Sequence, residues 1–180
     1  WLLIKQQLPK VELHIYGSYS SQKVTQFHNE NEGFLIKGFT PDVNLVMQNS
    51  RVCLAPLRFG AGLKGKLIDA MQNGTPCAMS SIASEGMFGI KYSDERILSA
   101  VAERSRSNVE VNGFVEDDPA AFAKKAIELY SSAEIWQQKQ QNGFKILNQR
   151  FNKINFKSDF SSKIVELKTH LITHRENNFI

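Results

Sequence analysis

Short apolar runs alternate with helix-length segments along roughly the first two thirds of this chain. The first run spans residues 11–17, and similar runs lie at 33–36, 51–56, 75–79 and 111–115. Strands that alternate with helices of about ten residues are typical of βαβ units, whose strands are parallel. Because such crossovers are right-handed, they place helices on both faces of the sheet. The sequence therefore predicts an α/β fold built on an open parallel sheet.

The segments between the apolar runs have helical spacing, and Pro41 is predicted to lie in the first turn of one of these helices. Residues 91–110 are rich in charge and serine, which indicates an exposed excursion. No linker rich in Pro, Gly or Ser divides the chain, so residues 1–180 are predicted to form one domain, with a helical tail at 133–180. The predicted helices lie at about 20–30, 41–47, 63–73, 120–130, 133–149 and 158–174.

Bulk composition limits the classes of protein to which this chain can belong. With 42% hydrophobic and 22% charged residues, the chain can bury a core. No apolar run approaches the roughly 20 residues that span a bilayer, and Cys53 and Cys77 sit in strand-like runs, as buried thiols do. We therefore expect a cytoplasmic protein. The net charge of +4 is scattered, and exposed aromatics do not interleave with it, so a nucleic-acid partner is not expected.

One loop carries the strongest chemical signal, the segment RFGAGLKGK at 58–66, which we call the glycine–lysine loop. It follows a predicted strand and opens a predicted helix. Gly60 and Gly62 let the backbone approach a ligand, and free N–H groups at a helix start favour an anion. Lys64 and Lys66 add charge there, and Arg58 adds a planar fork. The alternative is a tight turn whose lysines only face solvent.

Two acids lie close to this loop in sequence. Asp69 falls three residues after Lys66, where its carboxylate can accept hydrogen bonds from a ribose diol. The alternative is a surface acid paired with Lys66. Glu85 lies in a serine-rich loop after the next strand, at the same predicted edge of the sheet. It can equally be an ordinary polar loop residue.

Other site classes find no support in the sequence. The chain has neither a Walker phosphate loop nor the G-x-G-x-x-G spacing of nicotinamide-binding domains. Of its four histidines, only His170 and His174 lie four residues apart, and they fall on a polar helix with no Cys or third His beside them at metal-binding spacing. We therefore predict no metal and no separate cofactor.

Three segments together resemble a known family: LPKVELHIYG, GFTPDV and the run from Ala55 to Met87. They are similar to the C-terminal, donor-binding domain of group 1 (family 4) GT-B glycosyltransferases, which has a Rossmann-like fold. The resemblance implies a retaining enzyme that transfers a sugar from a nucleotide-diphosphate sugar to a glycan or lipid-linked acceptor. It further implies bacterial polysaccharide or glycolipid synthesis in the cytoplasm, with peripheral contact to the inner membrane as an option.

The resemblance also assigns roles to residues at the loop. By position, Arg58 and Lys64 look like diphosphate contacts that stabilise the leaving group, and Lys66 is a neighbouring candidate. Asp69 occupies the place of the second acid of the family's Glu-x7-Glu motif, which binds ribose. Ala61 replaces the first acid, and Glu85 is expected to supply polarity nearby.

Further binding residues come from the predicted strand ends. Gly17 ends the first apolar run, so it lies at the carboxyl edge where α/β sheets bind ligands. By the resemblance, the loop Gly38–Phe39–Thr40 borders the nucleotide base. Gly60 and Gly62 are expected to approach the phosphates through their N–H groups.

The resemblance covers only part of a full enzyme. Family members begin this domain with a further strand and a Gly-containing loop, and they carry an N-terminal acceptor domain. We expect this chain to be a fragment that binds donor without transferring sugar. Two other functions stay open: a nucleotide-sugar 2-epimerase, for which only Glu85 is a candidate acid/base, and a non-catalytic phosphate-binding module.

Overall fold

The computed structural model describes residues 1–88 and 110–171, with residues 155 and 156 described by backbone alone. All but the last residue of the predicted excursion at 91–110 lies outside these ranges. Strands and helices alternate as predicted. The strands are β1 (Leu13–Tyr16), β2 (Phe34–Gly38), β3 (Cys53–Ala55), β4 (Cys77–Met79) and β5 (Gly113–Val115). The helices are α1 (Leu2–Gln7), α2 (Gln22–Thr25), α3 (Val43–Gln48), α4 (Gly65–Gln72), α5 (Ser81–Ser84), α6 (Pro119–Ser131), α7 (Ala133–Arg150) and α8 (Lys153–Thr169).

All the strand pairs are parallel, as expected for βαβ units. Strand β1 pairs with β2, and β4 lies between β3 and β5. In the described residues the strands therefore form a two-stranded and a three-stranded sheet, where the sequence predicted one. Apolar periodicity marks a segment as a strand, but it does not specify the neighbour with which that strand forms hydrogen bonds.

Strand β4 is the centre of the core, and its three residues are all buried. Because successive side chains of a strand point to opposite faces, Cys77 and Met79 pack in one apolar cluster and Ala78 in another. The first cluster includes Met71 of α4 and Ile146 of α7. The second includes α1 and α6 residues. The prediction of helices on both faces is thereby confirmed.

Helix α4 packs through Leu67, Ala70 and Met71, whose spacing of three and four residues places them on one face. The predicted helix began at 63, with Leu63 on the buried face. The structure corrects this, because Leu63 lies before the helix and is exposed. Glycine and lysine at 62–64 instead form the turn into the helix.

Three other helix boundaries differ from the predictions. Pro41 lies outside α3, because Asp42 caps that helix by accepting hydrogen bonds from the N–H groups of Asn44 and Leu45. The helix predicted at 20–30 is the single turn α2, which buries no residue. The last helix starts at Lys153, earlier than predicted. In each case the local sequence allowed a helix, and packing or capping set its ends.

The tail helix α7 docks on the three-stranded sheet through polar contacts as well as its apolar face. Trp136 Nε1 donates to the carbonyl oxygen of Arg51 at 2.7 Å, and the Arg51 guanidinium lies 4.7 Å from the Trp136 ring centroid. Gln140 Nε2 donates to the carbonyl oxygen of Gly74 at 2.8 Å. The first helix of the tail is therefore an integral part of the domain.

Candidate functional site

The glycine–lysine loop leaves the carboxyl end of β3 and leads into α4. Its base is fixed to the neighbouring strand: Ser80 Oγ donates to the carbonyl oxygen of Leu57 at 2.6 Å, and the N–H of Ser80 donates to that of Ala55 at 3.1 Å. Since Ser80 follows β4, these bonds join the ends of two adjacent parallel strands. The loop therefore lies at the edge where α/β sheets bind their ligands.

Two of the loop glycines have backbone angles that L side chains rarely adopt. The φ angle is +140° at Gly60 and +71° at Gly62. No heavy atom lies within 4 Å of a Cβ added at Gly62, so its conformation, rather than crowding, requires glycine there. The path of the loop thus explains why glycines alternate with larger residues in this part of the sequence.

Lys64 is buried, with only 7% of its surface exposed. Its Nζ donates to the carbonyl oxygen of Gly62 at 2.5 Å and to that of Gly60 at 3.4 Å. An ammonium has three N–H donors, so one is left for a ligand. In a trans peptide the N–H points opposite to the C=O, so the amides of Ala61 and Leu63 face away from Lys64. The sequence had predicted a direct phosphate contact, and the structure adds this role in shaping the loop.

The N-terminus of α4 has no side-chain cap, since its first flanking residue is Lys64. Four other helices are capped by a side-chain oxygen. The amides in the first turn of a helix have no partner within the helix, and the helix dipole makes them attractive to anions. The N–H of Leu67 donates to the carbonyl oxygen of Lys64 at 2.9 Å, so among the described residues the open donors at the end of the loop are the amides of Gly65 and Lys66. Helices α1 and α2 also lack a side-chain cap, but they do not follow a glycine–lysine loop. The capped helices are α3, α5, α6 and α7, by Asp42, Ser80, Asp118 and Ser132 respectively.

The other charged candidates surround this helix start. Arg58 and Lys66 are exposed, and neither forms an ion pair within the described ranges. Asp69 is half-buried one turn further along α4, and it too forms no ion pair there, so the predicted alternative of a Lys66–Asp69 pair is not observed. Two cations and a carboxylate are therefore available to a ligand.

Glu85 comes close to the glycine–lysine loop through its neighbour Gly86. A Cβ added at Gly86 would lie 3.6 Å from Leu63 Cδ2, and Glu85 itself is exposed. The guanidinium of Arg150, at the end of α7, reaches the carbonyl oxygen of Gly86 at 3.4 Å. Sequence reasoning missed Arg150, because nothing in the local sequence of α7 indicates where that helix ends relative to the loop.

The remaining candidates lie together at the ends of β1 and β2. The N–H of Gly17 donates to the carbonyl oxygen of Gly38 at 2.8 Å, and Gly38 has a φ of +71°. Phe39 is 70% exposed, and Thr40 Oγ1 donates to the carbonyl oxygen of Asp42 at 3.1 Å. The structure thus forms two groups of site residues, this one and that of the glycine–lysine loop. No hydrogen bond joins the two groups in the described part of the chain.

The two best-formed surface hollows of the described residues lie elsewhere, one beside Ile154 on α8 and one between Leu3 of α1 and Ala120 of α6. Neither hollow includes a residue of the candidate site. Among residues 1–88 and 110–171, no three His, Cys, Asp or Glu side chains cluster as a metal site would require. Within the same ranges, no helix is long and apolar enough to cross a membrane.

Comparisons with known proteins identify the relatives of this chain. A family model described as "Glycosyl transferases group 1" matches residues 1–132. A search of curated proteins finds no match. A solved structure of a TarM mutant from S. aureus, in complex with Fondaparinux, alpha-GlcNAc-glycerol and UDP, matches with a TM-score of 0.63 at 17% identity. The match covers 89% of this chain and 30% of that one, so the chain spans less than a third of the matched structure.

Proposed function

Since this chain belongs to the group 1 glycosyltransferases, we propose that the edge formed by its strand ends binds the nucleotide-diphosphate sugar from which the enzyme transfers a sugar. The similar TarM structure has the same GT-B fold and is a complex with UDP. The acceptor is then a glycan or a lipid-linked molecule. Because the chain spans less than a third of that structure, the proposal assigns it the donor half of the reaction.

The observation that carries this proposal is the uncapped start of α4 beneath the glycine–lysine loop. The amides of Gly65 and Lys66, together with the exposed Arg58 and Lys66 side chains, form a positively charged patch at the carboxyl edge of a parallel sheet. A diphosphate needs several donors and positive charge in a small space. A loop that only made a tight turn would not require exposed cations beside an uncapped helix start.

In the proposed reaction, the bond between the anomeric carbon and the diphosphate oxygen breaks, and its electron pair stays on the diphosphate. The acceptor oxygen forms the new bond on the same face of the sugar, and its proton passes to the oxygen of the departing diphosphate. Negative charge therefore builds on the diphosphate. Donors that are already oriented toward that position stabilise the transition state more than the ground state.

Lys64 has two tasks in this proposal. Through the carbonyl oxygens of Gly60 and Gly62 it holds the loop so that the Ala61 and Leu63 amides face outward, and its third N–H donor is available to the diphosphate. Its positive charge adds to the field at the site. Lys64 is thus a positioning residue as well as a candidate contact.

The two acids suit the sugar-bearing ends of the donor. Asp69 lies one turn into α4 with a carboxylate that forms no ion pair in the described part of the chain and can accept hydrogen bonds from the ribose hydroxyls. Glu85 is exposed and adjoins Gly86, which lies near Leu63 of the loop, so we assign it to the sugar end of the donor. Neither acid needs a metal for these roles.

Calorimetric titration of the purified protein with UDP, GDP, ADP and CMP tests the proposal. We expect one nucleoside diphosphate to bind, and Lys64→Ala to weaken its binding at least tenfold, because that variant loses both the loop contacts and a charge. The matched control is Lys10→Ala, an exposed lysine before β1 at the opposite edge of the sheet, which should leave binding unchanged. If no nucleotide binds the unmodified protein, the proposal is wrong.

A further inference from the structure

The chain contains two cysteines, and the structure brings them side by side on adjacent strands. Cys53 is the first residue of β3 and Cys77 the first of β4, and the two are direct partners in the parallel register. Both side chains pack in the apolar cluster of Met71 and Ile146, so they lie on the same face of the sheet. No local sequence pattern indicates this pairing, because the glycine–lysine loop and α4 lie between the two cysteines.

The spacing of the two strands suits a disulfide. Neighbouring strands of a sheet lie about 4.8 Å apart. The Cα atoms of disulfide-bonded cysteines are usually about 4.4 to 6.8 Å apart. Both cysteines are free thiols in the structure. The register of β3 and β4 therefore places these two thiols where a disulfide can form while the strands stay paired.

The two thiols differ in how readily they ionise. Cys53 is half-buried, and a hydrogen bond with Cys77 lowers the pKa of its thiol. The positive charge of Lys66 acts in the same direction, against burial and the carboxylate of Asp69. The same hydrogen bond, together with complete burial, raises the pKa of the Cys77 thiol well above its ordinary range. Since the thiolate is the reactive form, Cys53 is the thiol that an oxidant meets first.

Asn112 lies against the buried thiol of the pair. Its side chain is buried, and its Nδ2 donates to Cys77 Sγ at 3.3 Å. Its Oδ1 is a buried oxygen without a hydrogen-bond partner in the described part of the chain. A half-paired amide inside an apolar cluster costs free energy, so packing alone does not explain this residue. An N–H that points at Cys77 Sγ stabilises the negative charge that this sulfur carries when it acts as a nucleophile.

We propose that Cys53 and Cys77 are a peroxide-sensitive pair that closes a disulfide between β3 and β4. In the first step the Cys53 sulfur attacks hydrogen peroxide: an S–O bond forms, the O–O bond breaks and one molecule of water leaves. In the second step the Cys77 sulfur attacks the Cys53 sulfur, and an S–S bond replaces the S–O bond as a second water leaves. The pair loses two electrons and two protons, and the peroxide is reduced to water.

The position of the pair indicates what the disulfide does. Both cysteines lie at the amino ends of their strands, whereas the glycine–lysine loop leaves the carboxyl end of β3. The bond would close a ring of residues 53–77, which contains that whole loop and α4. It therefore ties the sheet beneath the loop without occupying the ligand edge, and it restricts the unfolded chain. This inference does not depend on the proposed donor site.

Oxidation of the purified protein with hydrogen peroxide tests the inference. The treated protein is denatured, alkylated with iodoacetamide and weighed by mass spectrometry. Because the chain has only two cysteines, the number of alkyl groups counts the thiols directly. We expect the oxidised monomer to carry no alkyl group and to be lighter than the reduced protein by two hydrogen atoms. Dithiothreitol should restore both thiols. If both thiols are still alkylated after oxidation, or if the main product is a disulfide-linked dimer, the inference is wrong.

Two matched variants test the order of the steps. In Cys77→Ala, oxidation should stop at a sulfenic acid on Cys53, which dimedone traps. In Cys53→Ala, the Cys77 thiol should react at least about tenfold more slowly, because it is buried and remains protonated. Equal rates in the two variants would overturn the assignment of Cys53 as the nucleophile. Circular dichroism checks that both variants fold. If either does not, digestion of the oxidised unmodified protein decides, since the inference requires a peptide pair linked through Cys53 and Cys77.

Discussion

The two sheets of this domain differ in how deeply their residues are buried. In β4, all three residues are buried, and helices cover both faces. In β1, half-buried and exposed residues alternate, and neither α2 nor α3 has a buried residue. The glycine–lysine loop therefore follows a strand of a tightly packed sheet, whereas the loops after β1 and β2 follow strands of a thinly covered one.

This difference bears on the proposed donor site. Donors that stabilise developing charge on a diphosphate must already be in position, and a tightly packed sheet keeps them there. Regions with few buried contacts, by contrast, open at low free-energy cost. The most deeply buried residues thus lie beneath the glycine–lysine loop, and fewer buried contacts restrain the loops after β1 and β2.

Of the substitutions considered, a change at Gly113 in the three-stranded sheet should lower the free energy of unfolding the most. A Cβ there would lie 1.7 Å from the backbone oxygen of Cys77, so β4 and β5 could not keep their register. We expect Gly113→Ala to lower the free energy of unfolding by more than about 4 kcal/mol, measured by urea denaturation. Gly65→Ala is the control, because its Cβ would meet open space. A loss below about 1 kcal/mol in Gly113→Ala would show that the three-stranded sheet is not tightly packed at β4 and β5.

A pair of leucine truncations measures the contrast in burial directly. Leu67 of α4 has no exposed surface, whereas Leu45 of α3 is 56% exposed. Leu67→Ala should cost about 2 to 5 kcal/mol in unfolding free energy, since it leaves a cavity, and Leu45→Ala less than about 1 kcal/mol. Chemical denaturation of both variants provides the comparison. Similar losses in the two would show that the β1–β2 side is as well packed as the other.

The smallest effect should come from the helix caps, which are chemically alike on the two sides. Asp118 caps α6, which packs on the three-stranded sheet, and Asp42 caps α3, which buries no residue. Replacing a capping aspartate with alanine costs about 0.5 to 2 kcal/mol. We expect Asp118→Ala to show that loss in global unfolding and Asp42→Ala to show less, because α3 can open locally. A larger loss of unfolding free energy in Asp42→Ala than in Asp118→Ala, measured by urea denaturation, would contradict the difference in burial between the two sheets.

Much of the fold could be predicted from local sequence. The alternation of strands and helices, the parallel pairing and the helices on both faces were predicted and are confirmed, whereas the single-turn helix α5 forms where the sequence predicted a serine-rich loop. The predicted helix starts at Pro41 and Leu63 were wrong. Capping and the first turn of a helix depend on a few local hydrogen bonds, which the spacing of apolar residues does not reveal. The division into two sheets was also missed, since pairing depends on contacts far apart in sequence.

The candidate site was predicted less completely than the fold. Residue types and the glycine spacing at 58–66 indicated an anion-binding loop, but they did not show that Lys64 folds onto the carbonyl oxygens of Gly60 and Gly62. They also gave no weight to Arg150. The roles assigned to Arg58 and Lys66 stay predictions that the binding experiments test.

By itself, the sequence determined which segments become strands and helices, and where glycines and cations concentrate, because those properties depend on neighbours only a few residues apart. The tertiary structure alone decided that Gly86 approaches Leu63, that Gly17 and Gly38 share a hydrogen bond, and that α7 ends beside the loop. These juxtapositions join residues 20 or more positions apart. They arise only when the buried faces of β4, α4 and α6 have packed together, so no local pattern could specify them.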